Sequence, residues 1–538
     1  MYPYPARQYK RKGTQVMGRK KAINPTTYSK GELTGYLVGL AGQNIIYNII
    51  ATGLTFYFQS VIFIPAIACS IIFAVARVWD AINDPMMGSI VDKTRTKWGK
   101  CKPYLMFVPP VILISTILPF LNGMYAWPDE TGSSVLAPLS SRILIIAWAA
   151  VSYILWGMTY TIGDIPLWGV TSLMTENQND RAKVLSLARI FASVGVIGMA
   201  FTFIAPSFQG IFLAKGMDNA HSLRAAYILT AVILTLISTI MFEFAGLSVH
   251  ERVAQHGEPH TMKENFQTMW RCRPFRQLLI SGVLRSPIQL LSIVAMTLVM
   301  YYFFNNDLAG TLTNADGGFN IAIIVKVLLL FIGIMGGMLV SSGVTPGLAS
   351  RIEKKKLYNV YSLFGTIPFL LIFLIYKISG GNLLSWPMTV LISVVFFVAS
   401  WAQGGLNVLQ SVMIADCVDY EEYNNGVRPD GVFFAGQSFI TKLSAGIAAL
   451  IQGGVFALVG FSGKNIAVLN DALIKGADFT TYAGGKYAAA MFFLVSVPPA
   501  IGMALSAIPT LKYAMSDAEH NRMLDELNAK RHKEKGDA

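Results

Sequence analysis

The chain has 538 residues, of which 54% are hydrophobic and only 14% are charged, and its mean hydropathy is +0.50. Soluble domains carry about 25% charged residues, so this composition excludes a soluble globular protein and indicates one embedded in a membrane. The net charge of +13 does not predict a nucleic-acid partner, because the basic residues lie in short connections rather than in a soluble module with interleaved aromatic residues.

Apolar stretches recur along the whole chain, and each is long enough to cross a bilayer as a helix. A transmembrane barrel would instead show alternating segments of about ten residues. We therefore predict an all-α integral membrane protein with about twelve transmembrane helices. The predicted spans are 33–58, 61–87, 104–122, 141–169, 184–207, 222–247, 275–303, 320–345, 357–378, 387–414, 431–460 and 486–513.

The pattern of the spans predicts two six-helix halves, an arrangement typical of transporters that bind their solute near the middle of the membrane. The connections 123–140 and 304–319 lack Lys and Arg, whereas both tails are basic, so both termini are predicted to be cytoplasmic in the inner or plasma membrane. The predicted divisions are a basic tail 1–32, a first half 33–247, a linker 248–274, a second half 275–514 and a tail 515–538.

The second predicted helix carries two acidic residues one turn apart, Asp80 and Asp84, behind a long apolar run. Burying a carboxylate at that depth costs on the order of 2.5–3.5 kcal/mol, so such residues are usually functional. Arg77 lies on the same helical face. We predict a site for sodium or a proton at the two carboxylates, with Asn83 and Thr161 supplying neutral oxygens. An ion-pair cluster that only joins two helices is the alternative.

The connection that follows, from Gly88 to Lys100, resembles the signature loop of the major facilitator superfamily. Gly88 would allow a close helix contact, and Asp92 with Lys93 and Gly99 would form part of a cytoplasmic gate. An ordinary basic cytoplasmic loop would show a similar charge pattern. The loop therefore predicts a major facilitator fold, and further segments of the chain support the same prediction.

Four co-linear segments together resemble the glycoside–pentoside–hexuronide:cation symporters and extend the likeness over the whole membrane domain. The segments are Arg77-x-Trp79-Asp80-Ala-x-Asn83-Asp84-Pro85, Tyr160-Thr161-x-x-Asp164-x-Pro166-x-Trp168, Ala188-Arg189-x-Phe191, and Asp416 to Tyr423 continued by Gly436 to Lys442. The resemblance implies alternating access and cation-coupled symport of a sugar or glycoside, with no cofactor other than sodium or a proton. It also implies a monomer surrounded by membrane lipid.

Residues of the fourth predicted helix have the chemistry of a sugar site. Asp164 and Trp168 share a face with Thr161. An indole stacks on the apolar face of a sugar ring, while a carboxylate accepts hydrogen bonds from hydroxyl groups. The resemblance adds Arg189 and Arg77 as solute or charge-network residues. It also adds Lys442, a mid-helix cation expected to pair with Asp80 or Asp84.

The chain departs from the melibiose-carrying members of that family at three positions. Gln43 and Asn44 stand where those members have a Lys-Asp pair, and Asn407 stands where they have a Trp. Amides both donate and accept hydrogen bonds, so they can read the hydroxyl groups of a glycoside other than melibiose. Arg285 and Lys326 also lie within predicted spans, and a cationic cavity would favour an acidic solute.

Two other functions remain open from the sequence. A related carrier could transport lysolipid or another acidic organic solute, although the polar residues of the predicted cavity favour a hydrophilic one. A membrane enzyme is disfavoured, because all six histidines lie outside the predicted spans and no catalytic or metal-ligand motif is present. We therefore expect no enzymatic activity and no metal other than sodium. The four cysteines are expected to be free thiols.

Overall fold

The computed structural model describes residues 27–125, 127–128, 134–135, 139–175, 178–252, 262–307, 311, 320–426 and 430–536. The predicted tail 1–32 therefore lies mostly outside the described residues, as does part of the predicted linker. The structure also does not describe the side chains of Asp92 and Arg189.

Ten helical segments in the described part of the chain are long and apolar enough to cross a membrane. They are Lys30–Val61 (span 1), Ala66–Gly88 (span 2), Ser141–Gly169 (span 4), Asn219–Ser248 (span 6), Ser286–Phe303 (span 7), Ile321–Ala349 (span 8), Lys354–Ile378 (span 9), Trp386–Asn425 (span 10), Gly436–Val459 (span 11) and Tyr482–Leu511 (span 12).

The third and fifth predicted spans are also helical but are interrupted. Span 3 consists of Lys102–Phe107, Pro109–Ile117 and the 3₁₀ segment Leu118–Tyr125. Its break coincides with Pro109, which has no backbone N–H to donate within a helix. Span 5 consists of Gln178–Ala192, the 3₁₀ segment Ser193–Ala200 and Phe201–Ser207. All twelve predicted spans therefore correspond to helical segments.

Several of the long spans contain irregular turns. The helices within spans and their 3₁₀ or π segments are Lys30–Asn48, Ile49–Gly53, Leu54–Phe56, Tyr57–Val61, Ala66–Lys93, Leu139–Gly169, Val170–Ser172, Asn219–Ser248, Arg273–Leu284, Ser286–Gln289, Leu290–Leu298, Val299–Phe303, Ile321–Phe331, Ile332–Gly336, Gly337–Ala349, Lys354–Ile378, Trp386–Asn425, Asp430–Val459, Tyr482–Gly485, Lys486–Leu494 and Val497–Leu511. Helices outside the spans are Gln209–Leu213, Met262–Arg271, Gly463–Ile474 and Asp517–Gly536. One antiparallel pair of short strands, Trp127–Pro128 and Ser134–Val135, lies between spans 3 and 4.

Span 1 is positioned by its cap and by its glycines. Ser29 and Glu32 form a capping box at its start, which satisfies backbone N–H groups that the first turn leaves free. Gly39 faces span 6 so closely that an added Cβ atom would lie 2.4 Å from the Cβ atom of Ala245. Only glycine permits this approach, so Gly39 allows spans 1 and 6 to pack closely.

The two sets of six spans meet along spans 2 and 11, which pack against each other over much of their length. At one end of the molecule the contact continues beyond these helices. There Asn470 Nδ2 donates to the carbonyl of Ser60 at 3.0 Å. The Phe56 and Tyr301 rings are also in contact, with their centroids 6.2 Å apart. We call this the closed end. The packing of spans 2 and 11 places Asp84 of span 2 opposite Lys442 of span 11.

Candidate functional site

The two acidic residues of span 2 each lie beside a cation. Arg77 Nη1 lies 3.0 Å from Asp80 Oδ2, as expected for residues three apart on one helix. Asp84 accepts a hydrogen bond from Thr161 Oγ1 at 3.1 Å and forms an ion pair with Lys442 of span 11. Of the two partners expected for Lys442, the structure therefore selects Asp84.

Neutral groups complete the acidic cluster. Asn83 is 4% exposed, and its Nδ2 atom has no hydrogen-bond partner among the described residues. Thr161 is 3% exposed and directs its hydroxyl to Asp84. The described part of the chain includes no group of three or more His, Cys, Asp or Glu side chains that could hold a metal ion. Two carboxylates with an amide and a hydroxyl instead match the hard oxygen ligands that an alkali cation prefers.

A second polar group joins spans 1 and 4. Gln43 is 1% exposed and donates through Nε2 to Asp164 Oδ1 at 2.7 Å. The same nitrogen contacts the Tyr160 hydroxyl. Asn44 Nδ2 donates to Gln43 Oε1 at 2.9 Å, and the Trp168 side chain also contacts the Asp164 carboxylate. The predicted amide pair and the predicted carboxylate and indole therefore form one hydrogen-bonded group.

An aromatic wall that the sequence analysis did not identify lies beside these residues. The ring centroids of Trp156 and Tyr160 are 5.0 Å apart, and those of Tyr47 and Tyr160 are 5.6 Å apart. Trp156 and Tyr160 are four residues apart on the helix that carries Asp164. Their common spacing with Asp164 and Trp168 is the signal that could have revealed them.

Residues of the acidic cluster, the polar group and the aromatic wall line one open cavity of about 250 Å³, whereas Asn83, Asp84, Gln43 and Trp168 are not part of its lining. It is lined by Asn44, Tyr47, Arg77, Asp80, Trp156, Gly157, Tyr160, Thr161, Asp164, Ser438, Thr441 and Lys442. This volume lies slightly below the roughly 300 Å³ at which small-molecule sites usually begin. The lining combines aromatic faces, hydroxyl groups and charges of both signs, which suits a small polar solute.

The structure places the remaining candidate residues elsewhere or does not describe them. Asn407 is exposed and accepts a hydrogen bond from Arg285 Nη2 at 3.3 Å. Lys326 bonds the carbonyl of Leu384 and lies over the Trp386 ring, at 5.2 Å from its centroid. Leu384 belongs to the connection between spans 9 and 10 and Trp386 begins span 10, and Lys326 is not among the residues that line the cavity.

The loop between spans 2 and 3 owes its shape to Gly99 rather than to Gly88. Glu251 accepts hydrogen bonds from the backbone N–H groups of three consecutive residues, Lys100, Cys101 and Lys102, at 2.7–2.9 Å. Gly99 has a φ of +115°, and an added Cβ atom would lie 2.4 Å from the Glu251 carboxyl carbon. At Gly88 an added Cβ atom would meet nothing within 4 Å, so the predicted close helix contact there was wrong. Lys93 is exposed.

We expect Gly99→Ala to lower the thermal stability of the detergent-solubilised protein. A side chain at this positive φ costs on the order of 1–3 kcal/mol, and it would also displace Glu251 from the backbone N–H groups. Gly88→Ala is the matched control, since it adds the same methyl group in open space within a helix. Equal unfolding temperatures for the two variants, measured by tryptophan fluorescence, would contradict this account of the loop.

The molecule has a polar, charged cavity between two sets of six membrane spans, and this arrangement is that of a multi-pass membrane transporter. A family model described as MFS/sugar transport protein matches residues 35–497, and the chain belongs to this family. This membership confirms the predicted major facilitator fold with its two six-helix halves, and it places the chain among transporters rather than enzymes. The exact boundaries predicted for the halves, linker and tails remain predictions.

Curated relatives match most of the chain at low identity. The chain is 26% identical to the "Glucuronide carrier protein homolog" of Escherichia coli, over 81% of this chain and 85% of that protein. It is 25% identical to the "Isoprimeverose transporter" of Lactiplantibacillus pentosus, over 90% and 88% of the two chains. It is 26% identical to the "Inner membrane symporter YicJ" of Escherichia coli, over 90% and 91%.

Solved structures support the fold. A bacterial homologue of the human lysosomal transporter Spinster, solved in an inward-facing and unoccupied conformation, matches with a TM-score of 0.56 at 14% identity, over 91% of this chain and 100% of that one. A point mutant of the nucleoside transporter NupG matches with a TM-score of 0.51 at 15% identity, over 82% and 99%. At these identities the likeness concerns the fold alone.

Proposed function

We propose that this protein is a symporter that couples the movement of a sugar or glycoside to that of sodium or a proton, by alternating access. The observation that carries the proposal is the position of the two polar groups on span 4. Thr161 donates a hydrogen bond to Asp84 of the acidic cluster. Asp164 lies three residues further along and accepts a hydrogen bond from Gln43 of the polar group. Span 4 therefore connects the two groups. A displacement of this helix on binding at one group would move the contact residue of the other.

The acidic cluster is the proposed cation site. Lys442 neutralises Asp84 in this structure, so an entering cation would replace the ammonium group as the partner of that carboxylate. Because Lys442 belongs to span 11 and Asp84 to span 2, this exchange changes an ion pair between the two halves. Cation binding is thereby linked to the relative position of the halves, which alternating access requires.

The polar group with its aromatic wall is the proposed solute site. Asp164 and the two amides of span 1 supply acceptors and donors for hydroxyl groups, and the Trp156 and Tyr160 rings supply flat apolar faces. The names of relatives that carry a glucuronide or isoprimeverose support a glycoside as the solute. A lysolipid would place its acyl chain against charged side chains, so the lining disfavours the lipid alternative.

The orientation proposed for the protein follows from the distribution of basic residues. The start of the linker is tied to both the first span and the 2–3 loop, through the Arg252–Glu32 ion pair at 2.7 Å and through Glu251. These connections and the basic tails would face the cytoplasm by the positive-inside rule. The closed end would then face outward, in the cell membrane. We propose a monomer with no cofactor other than the coupling cation.

Uptake by proteoliposomes tests the proposed function. Labelled isoprimeverose and p-nitrophenyl-β-D-glucuronide would be offered under an imposed sodium gradient, a proton gradient or neither. The proposal expects at least one of them to accumulate above its external concentration with one gradient only. Accumulation that is independent of both gradients, or transport of labelled lysophosphatidylcholine in place of either sugar, would overturn it.

We expect Trp168→Ala to weaken glycoside binding about tenfold while leaving cation binding by the solute-free protein unchanged. The indole contacts Asp164 of the polar group, and loss of one stacking or hydrogen-bonding ring costs on the order of 1 kcal/mol. Titration calorimetry with solute, and thermal shift with the cation, measure the two effects. An equal loss of both would indicate that the residue serves folding instead.

A further inference from the structure

Arg285 is a buried cation in the second half that no part of the proposed mechanism uses. It lies between the helix Arg273–Leu284 and the 3₁₀ segment Ser286–Gln289 that begins span 7, and inside the predicted span 275–303. Its exposure is 6%. A charged side chain within a membrane span is costly and is retained only where it is paired or functional.

The partners of Arg285 are neutral. Its Nη2 atom donates to Gln410 Oε1 and to Asn407 Oδ1, the latter at 3.3 Å, and both acceptors are amides of span 10. Its buried Nη1 atom has no hydrogen-bond partner in the described part of the chain. The ion pairs between described residues include none to Arg285. By contrast, Arg77 and Lys442 each pair with a carboxylate. Among the described residues, the guanidinium group of Arg285 therefore lacks a counter-ion.

The guanidinium group donates to a residue that is exposed on the side of span 10 away from its lipid-facing residues. Asn407 is exposed, yet it lies about 160° around span 10 from Leu391, at 100° per residue. Leu391 and Val394 are 44% and 55% exposed and mark the lipid-facing side of this helix. The exposed surface of Asn407 consequently lies on the opposite side of span 10 from these lipid-facing residues. A shift of the Asn407 amide would expose the Nη2 atom whose hydrogen bond it accepts in this structure.

We propose that Arg285, with Asn407 and Gln410, binds an oxyanion on the solute, so that the transported glycoside is acidic. This inference rests on the proposed function and narrows its substrate class. A guanidinium group presents a planar fork of donors that matches a carboxylate or sulfonate in a bidentate manner. The unpartnered Nη1 atom and the Nη2 atom would supply that fork, while the two amides would turn to neighbouring hydroxyl groups. A neutral glycoside would leave the buried charge without a partner.

The wild-type protein alone provides the first test. p-Nitrophenyl-β-D-glucuronide and its neutral methyl ester differ in the charge and one methyl group at a single position, and p-nitrophenyl-β-D-glucoside lacks the carboxyl group altogether. We expect the acid to bind about tenfold or more tightly than either neutral compound, the scale of a hydrogen bond to a charged group. Sulfoquinovose provides a sulfonate arm, and preference for it over glucose would support the same site. Equal or tighter binding of the neutral compounds would overturn the proposal.

The second test uses Arg285→Gln, which keeps hydrogen-bonding capacity and removes the charge. We expect the preference for the acid to fall to about onefold, with affinity for the neutral glucoside unchanged. Lys326→Gln is the matched control, because it removes another intramembrane cation, one that bonds the carbonyl of Leu384. A preference that persists in Arg285→Gln, or an equal loss of all ligands, would overturn the proposal.

Transport separates this inference from the proposed function. If neutral glycosides accumulate with a cation gradient and acidic ones do not, only the anion site is wrong. If no glycoside of either charge responds to a cation gradient, the proposed function is wrong. Should Arg285→Gln fail to fold, the comparison of the acid with its methyl ester in the wild type still decides the question.

Discussion

Replacement of Asp84 by Asn is expected to abolish cation-driven accumulation of the solute while solute exchange across the membrane continues. The amide cannot bind a coupling cation as a carboxylate does, and it leaves the Lys442 ammonium without its counter-ion inside the membrane. An unpaired charge there costs on the order of 2.5–3.5 kcal/mol, so Lys442 is expected to leave the site or to pair with Asp80 instead. The ratio of internal to external solute should fall to about one in proteoliposomes with an imposed gradient.

Asp218→Asn is the matched control for this prediction. Asp218 caps the start of span 6 by accepting from the backbone N–H groups of Ala220 and His221, and Asn caps a helix equally well. The same chemical change should therefore leave accumulation intact. Gradient-driven accumulation that survives in Asp84→Asn would show that the cation binds elsewhere.

Replacement of Asp164 by Asn is expected to lower glycoside affinity by about 10- to 100-fold and to leave the cation response of the solute-free protein in place. The carboxylate accepts from Gln43 at 2.7 Å and is contacted by Trp168, and an ionised carboxylate has about four acceptor sites, so it can still accept from solute hydroxyl groups. Hydrogen bonds to a charged group contribute on the order of 1.5–3 kcal/mol each. Titration calorimetry with the glycoside that the wild type transports would measure the loss.

A conservative change at the cavity wall provides the comparison for Asp164→Asn. Ser438→Ala alters another lining residue by one hydroxyl group and should reduce affinity far less. Because coupling between two ligands is reciprocal, any change in the factor by which the cation tightens glycoside binding must equal the change in the factor by which glycoside tightens cation binding. Undiminished glycoside affinity in Asp164→Asn would exclude this carboxylate from the solute site.

The sequence alone determined the features that depend on composition and on spacing within one helix. The positions of the twelve spans follow from apolar stretches long enough to cross a bilayer. The ion pair between Arg77 and Asp80 follows from a separation of three residues on one helix. The joint face of Thr161, Asp164 and Trp168 was likewise predictable, since the period of an α-helix places them together.

Only the tertiary structure decided which distant side chains meet. Lys442 could have paired with Asp80 or Asp84, and the register between spans 2 and 11 selects Asp84. The hydrogen bond from Gln43 to Asp164 depends on how spans 1 and 4 pack, a relation between residues that local pattern cannot supply. Lys326 illustrates the same limit, because its long side chain reaches the Leu384 carbonyl rather than the cavity.

The glycines of the 2–3 loop show why the two sources of information differ. Gly88 and Gly99 both match glycine positions of the signature pattern. Of these two residues, only Gly99 has a positive φ and a carboxyl group where a Cβ atom would stand. That carboxyl group belongs to Glu251, about 150 residues away, as its hydrogen bond to Cys101 shows. Periodicity and charge pattern report the surroundings of a residue along its own helix. The packing of separate helices sets its remaining contacts, and therefore determines which polar residues form the site.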